Sequence, residues 1–176
     1  MLSGTKVELR AVERDDVRRL WELLEDLEIS YLSSNDPVRP ESLAQAESRY
    51  EARLTEPPPD RINFVVEVNG EVIGECQLHG IDHYRRVCDL GIALGRDYWG
   101  QGFGQDVVRT LVDYAFTHLN MNKVSLEVLA DDARAVGCYA RVGFVEEGRL
   151  RQHAWVNGAR ADALVMSVLR EEWASA

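Results

Sequence analysis

At 176 residues with 45% hydrophobic content, the chain has the size and apolar share of a single globular domain spanning 1–176 with a full core. A formal charge of −10 repels a phosphate backbone, so nucleic acid is not an expected partner, while the same field draws in cationic small molecules. No apolar run reaches the ~18 residues of a membrane-spanning helix and no basic stretch leads into an apolar segment at the start, and Cys76, Cys88 and Cys138 form no Cys-x-x-Cys pair, so a reduced, cytoplasmic protein without membrane contact is expected.

Val7 to Ala11 reads as a first strand. Asp15 and Asp16 suit a helix start, and Val17, Leu20, Trp21, Leu24 and Leu27 repeat at helical spacing. A second helix is predicted from about Pro40 through Leu43, Ala46, Tyr50 and Leu54, ended by the prolines at 57–59. Ile62 to Val68 and Glu71 to Leu78 flank Asn69-Gly70, a dipeptide suited to the positive φ angles of a type I′ hairpin. Val87 to Leu94 is the next strand. A glycine-rich loop follows, then an amphipathic helix with Val108, Leu111, Val112, Ala115 and Leu119 on one face. Val124, Leu126 and Val128 alternate as in a strand, and a helix from Asp132 to Val142 can close on Gly143. Phe144 begins another strand, and Asn157-Gly158 joins Gln152 to Val156 with Ala159 to Leu169 in a second hairpin. This order predicts an α/β or α+β layer fold, a mixed sheet with helices on both faces.

The loop carries Gly100, Gly102 and Gly104 between a strand and a helix. Glycines there let backbone approach a ligand, and free N–H groups at the helix start favour a pyrophosphate. A P-loop needs Gly-Lys-Ser/Thr, and Gly104-Gln105-Asp106 has neither lysine nor hydroxyl; a dinucleotide fold needs Gly-x-Gly-x-x-Gly inside a parallel β-α-β unit, and this spacing follows an antiparallel hairpin. His79, Asp82 and His83 bring metal-ligand types together at a strand end without a fourth ligand, so a surface turn and no metal are expected. Cys138 has no histidine placed to activate it and reads as a buried thiol.

Trp99-Gly100-Gln101-Gly102-Phe103-Gly104 resembles the pyrophosphate loop of the GNAT superfamily of acetyl-CoA-dependent N-acetyltransferases, Arg/Gln-x-x-Gly-x-Gly/Ala, with Trp99 departing at the first position. Asp132 to Phe144 is similar to the family's Asn-x-x-Ala-x-x-x-Tyr-x-x-x-Gly-Phe signature, with Asp132 in place of asparagine. The Leu9-Arg10, Glu13 to Asp16, Asp82 to Arg86 and Gly143 to Gly148 segments resemble the branch holding ribosomal-protein and spermidine N-acetyltransferases. The resemblance implies a GNAT-type, mostly antiparallel twisted sheet with splayed central strands and a homodimer or higher homo-oligomer. It also implies acetyl-CoA contacts from Ile92, Ala93 and Leu94, from Trp99, Gly100, Gln101, Gly102, Phe103, Gly104 and Gln105, and from Asp132 and Arg134. Tyr139 would be the general acid that protonates the departing thiolate; a phenol with pKa of about 10 suits that step.

The acceptor amine must lose a proton before attack, because only about one alkylammonium in a thousand is neutral near pH 7. Asp89, Glu127 and Glu75 are the candidate carboxylates for that proton, with Asp89 ranked first on the face opposite Leu90 and Ile92. The expected function is transfer of acetyl to a primary amine, a cationic small molecule such as a polyamine. A protein N-terminus or an aminoglycoside is the alternative acceptor, and a non-catalytic acyl-CoA sensor is the alternative class. Polyamine enzymes carry a glutamate where this chain has Gly80.

Overall fold

The computed structural model describes residues 1–33 and 39–173. An eight-stranded sheet forms the centre, in the order β1 (Leu2–Ser3), β2 (Glu8–Arg10), β3 (Ile62–Val68), β4 (Glu71–Asp82), β5 (Val87–Leu94), β6 (Lys123–Leu129), β8 (Ala159–Leu169) and β7 (Val145–Val156). Every neighbouring pair is antiparallel except β5 with β6. The β3–β4 turn has φ of 52° at Asn69 and 81° at Gly70, and the β7–β8 turn has 50° at Asn157 and 81° at Gly158, which the two Asn-Gly pairs predict.

Alternation along the strands sends apolar residues to both faces. Cys76, Leu78, Leu90, Val124 and Leu126 pack with Val107, Val108, Leu111 and Val112 of α4 (Phe103–Thr117), and α5 (Ala133–Val142) joins this side through Val142. On the other face Val65 and Val72 pack with Val17 and Leu20 of α1 (Asp16–Leu24) and with Ala46 and Tyr50 of α3 (Leu43–Thr55). Burying these two sets of side chains is the main force holding the layers.

Local chemistry moves several predicted boundaries. The apolar periodicity that runs through Leu27 breaks after Leu24, because Asp26 turns its carboxylate onto the Glu28 amide at 2.8 Å and so offers the backbone an alternative to helix. A new helix, α2 (Leu27–Ser33), starts there, with Leu27 63% exposed. Likewise α3 starts at Leu43 and not at Pro40, since Ser42 and Gln45 form a reciprocal capping box that satisfies the free amides. Leu119 lies beyond the end of α4, though it still packs against the core. β4 continues past Leu78 to Asp82 across a register shift where Gly80 has φ of 57°. β7 is continuous from Val145, kinked around Gln152 with φ of 53°, where the sequence predicts separate segments. The short α6 (Arg170–Trp173) follows β8.

Candidate active site

β5 and β6 pair only over Val87–Asp89 and Lys123–Ser125. Beyond that point β5 runs on to Leu94 and β6 to Leu129, so the strands splay and leave ladder positions of β5 without a neighbour on that side. A cavity of about 190 Å³ fills the wedge, walled by Ile92, Ala93 and Leu94 of β5, Glu127 and Val128 of β6, Val108 of α4 and Tyr139 of α5. Two side chains of α2, Ile29 and Leu32, also line it.

The glycine loop forms its polar end. Gly100 and Gly102 have φ of 73° and 85°, a region that disfavours any residue with a Cβ, and Gly102 caps α4. Gly104 is different: its φ is ordinary and an added methyl would meet only Cys138 Sγ at 3.7 Å and Leu94 Cδ1 at 3.9 Å. The amides of Phe103, Gly104 and Gln105 open the helix and have no residue four back within it to bond. Gly102, Gly104 and Gln105 line the cavity, so the helix start borders it with its positive dipole end, an arrangement that suits an anionic phosphate.

Of the residues the sequence assigns to this site, Ile92, Ala93, Leu94, Trp99, Gly100, Gly102, Gly104, Gln105, Asp132, Arg134, Glu127 and Tyr139 line the cavity. Gln101 and Phe103 are on the loop but turn elsewhere, Gln101 donating to the Asp97 carbonyl at 2.7 Å and Phe103 packing on the core. Trp99 donates its indole N–H to the Leu94 carbonyl at 2.8 Å, and its ring lies 4.0 Å from the Arg134 guanidinium and 5.3 Å from that of Arg96. Trp99 is therefore a stacking platform that holds Arg134 at the cavity. The Asp132 carboxylate is spent locally, one oxygen accepting from the Ala135 amide at 2.9 Å and the other from Arg134 at 3.1 Å, so it adds no unbalanced negative charge. Arg141 also lines the cavity and escaped the sequence reading. Its signal was present, because Arg134 and Arg141 stand seven residues apart, on one face of a helix.

Tyr139 is half-buried in the cavity wall, its ring 5.9 Å from that of Phe144. Burial pushes its phenol well above the ordinary tyrosine value, with Cys138 and Asp132 adding to the shift, so the hydroxyl stays protonated. Cys138 also lines the cavity, and burial raises its thiol too, which leaves it a weak nucleophile.

Register places all three candidate carboxylates on one sheet face. Glu75 is opposite Ala93, Gln77 opposite Gly91, His79 opposite Asp89 and Asp89 opposite Ser125, and the period of two carries Glu127 along. Burial raises the Asp89 carboxyl; His79 opposes this and Glu127 adds to it. Asp89 does not line the cavity, whereas Glu127 does, 3.7 Å from His153 Nε2. Glu75 accepts a 2.5 Å hydrogen bond from the buried Tyr50 hydroxyl. It lines a second cleft with Trp21, Gln77, His79 and Gly91, and this cleft shares Ile92 and Ala93 with the first cavity. The side chain of Gln77 lies flat across β5, where a Cβ on Gly91 would meet its Nε2 at 2.9 Å. Asp82, counted above among metal-ligand types, accepts from the amides of Tyr84 and Arg85 and from the Arg85 guanidinium.

The profile of the acetyltransferase (GNAT) domain matches residues 6–145. The spermidine N(1)-acetyltransferase of Vibrio cholerae serotype O1 is 31% identical over 171 residues, covering 97% of this chain and 96% of that protein. The Escherichia coli K12 spermidine N(1)-acetyltransferase is 28% identical over 173 residues, covering 98% and 91%. A crystal structure of spermidine N-acetyltransferase from Vibrio cholerae in complex with CoA and spermine superposes with a TM-score of 0.87 at 29% identity, covering 97% of this chain and 99% of that one.

Proposed function

The chain belongs to the GNAT acetyltransferase family, and we propose that the amine it acetylates is a small cationic molecule of the polyamine class. It is an N-acetyltransferase whose donor is acetyl-CoA, which supplies the acetyl group as an activated thioester. The observation that carries the acceptor reading is the wall shared by the two clefts. The cavity holding Tyr139 and the cleft holding Glu75 meet at Ile92 and Ala93, which line both, so an amine entering past Glu75 arrives at the strand along which the donor lies.

On this reading the amides of Phe103 to Gln105 receive the diphosphate, and Arg134 and Arg141 balance its charge. The ladder groups of Ile92 and the amide of Leu94, which β6 does not pair, receive the pantetheine arm, while the Leu94 carbonyl stays with the Trp99 indole. Tyr139 gives its phenolic proton to the departing thiolate as the new C–N bond forms. The proton lost by the amine goes to a carboxylate of the acceptor face, directly or through water. Glu75 lines the acceptor cleft and Glu127 lines the cavity, so these two are placed to contact the amine and take its proton, with Asp89 on the same sheet face.

Arg39, Arg49, Arg53 and Arg61 line the second cleft as well, and they favour a second acceptor class, the α-amino group of a peptide or protein, whose carbonyl and carboxylate oxygens they would bind. Release of free CoA thiol with acetyl-CoA and a panel of spermidine, spermine, an aminoglycoside and short peptides separates the readings. Turnover highest on spermidine or spermine supports the polyamine class. Preference for the peptides replaces it, and binding of CoA without release on any amine supports a sensor.

A further inference from the structure

Three consecutive backbone amides near the N-terminus converge on one carboxylate. Asp106 Oδ1 accepts from the Thr5 amide at 3.1 Å and the Thr5 hydroxyl at 2.7 Å. Oδ2 accepts from the Lys6 amide at 2.6 Å and the Val7 amide at 3.0 Å. Asp106 is a buried residue in the first turn of α4, and its own amide closes that turn on the Gly102 carbonyl at 3.2 Å. The approach is as close as backbone allows, since a Cβ on Gly4 would lie 2.5 Å from Asp106 Oδ2.

The same segment grips the loop at a second point. Lys6 Nζ donates to the Gln101 carbonyl at 3.0 Å, and a Cβ on Gly102 would lie 2.9 Å from that nitrogen. Residues 4–7 thus tie both the loop and the first turn of α4, while none of them lines the cavity.

An anion in the first turn of a helix normally competes with a phosphate for the positive helix end. Here the Asp106 carboxylate is turned away and saturated by amides from another segment, an anion nest within the fold. The amides of Phe103 to Gln105 are left to a ligand. Two left-handed glycines make the loop costly to order, so ties that order it beforehand raise affinity for whatever the loop binds.

We infer that Asp106 is a positioning residue for the diphosphate of the acyl donor, acting through residues 5–7 to hold the loop amides in register. The inference rests on the reading above that these amides receive the diphosphate. Calorimetry with CoA and displacement titration with pantetheine, which lacks the diphosphate and nucleotide, test the two separately on wild type and Asp106→Asn. The asparagine keeps the shape but opposes an N–H to the donors of residues 5–7. It should weaken CoA about tenfold and leave pantetheine unchanged. Equal weakening of both ligands, or unchanged CoA binding, overturns the role of Asp106. A wild-type protein that binds CoA no tighter than pantetheine overturns the diphosphate reading itself. If Asp106→Asn does not fold, Thr5→Val, which removes only the hydroxyl bond, should give the same selective loss at about threefold, and the absence of selectivity there overturns the inference.

Discussion

Tyr139 illustrates how one side chain acquires its chemistry from its setting. Its phenol is held protonated by burial, and in that state it can donate. Tyr139→Phe is expected to lower kcat about a hundredfold and to leave the calorimetric affinity for CoA unchanged; equal turnover would remove Tyr139 from proton transfer. The pH dependence has a definite sign. Activity on spermidine should rise from pH 7 to 9 as the amine loses its proton, and the raised phenol should cause no fall before about pH 10. A descending limb centred below pH 9 would contradict the buried setting of Tyr139. The sequence marked Tyr139 and Asp132 through one spaced signature, with Arg134 at an unspecified position inside it. The stacking of Arg134 on Trp99 lay beyond it, because that contact joins α5 to a loop more than thirty residues earlier.

At the level of elements, the splay is set by where β5 stops pairing with β6, and β4 on the other side must keep β5 in place. Gly74 shows how tight that side is. A Cβ there would lie 2.2 Å from the Ala93 carbonyl oxygen and 2.9 Å from Leu94 Cα, both backbone atoms that cannot rotate away. Gly74→Ala should therefore cost about 1–3 kcal/mol, read from the urea midpoint, and should raise KM for acetyl-CoA because Ile92 and Leu94 shift with the strand. The N-terminal edge is pinned differently. Arg10 on β2 bridges Asp16 of α1 at 2.8 Å and Glu67 of β3 at 2.8 Å. Burial alone would raise the Asp16 carboxyl, but Arg10 and the Glu13 amide outweigh it and hold it below the usual aspartate value. A depressed folded pKa gives stability that is complete above the unfolded value of about 3.9 and is lost as pH falls toward the folded one. Asp16→Asn should cost about 2 kcal/mol at pH 7, with the difference from wild type shrinking below pH 4 in urea titrations. Hairpins were legible here from Asn-Gly alone, since positive φ is a local demand. The break between α1 and α2 was not, because the apolar repeat continues while a single aspartate side chain captures the backbone.

Over the whole molecule, the charge of −10 surrounds a donor site carrying Arg134 and Arg141. A net field of that sign speeds the approach of cations and slows that of anions. Raising ionic strength from about 0.02 to 0.2 M shortens the screening length from about 20 to 7 Å. It should lower kcat/KM for spermidine several-fold, and more steeply than for butylamine with its single charge. An equal slope for the two amines would show that the overall field plays no part in acceptor capture.

The sequence by itself determined the order of the longer strands and helices, though not β1, α2 or α6, together with both Asn-Gly turns, the phosphate-suited loop and the tyrosine helix. These rest on periodicity, φ restrictions and fixed spacing, which are properties of neighbouring residues. Only the tertiary structure decided which carboxylates share a face, how Glu75 meets Tyr50, and that residues 4–7 fasten the loop through Asp106. Strand register and packing bring together groups twenty-five to a hundred residues apart, and no local propensity carries information across such separations.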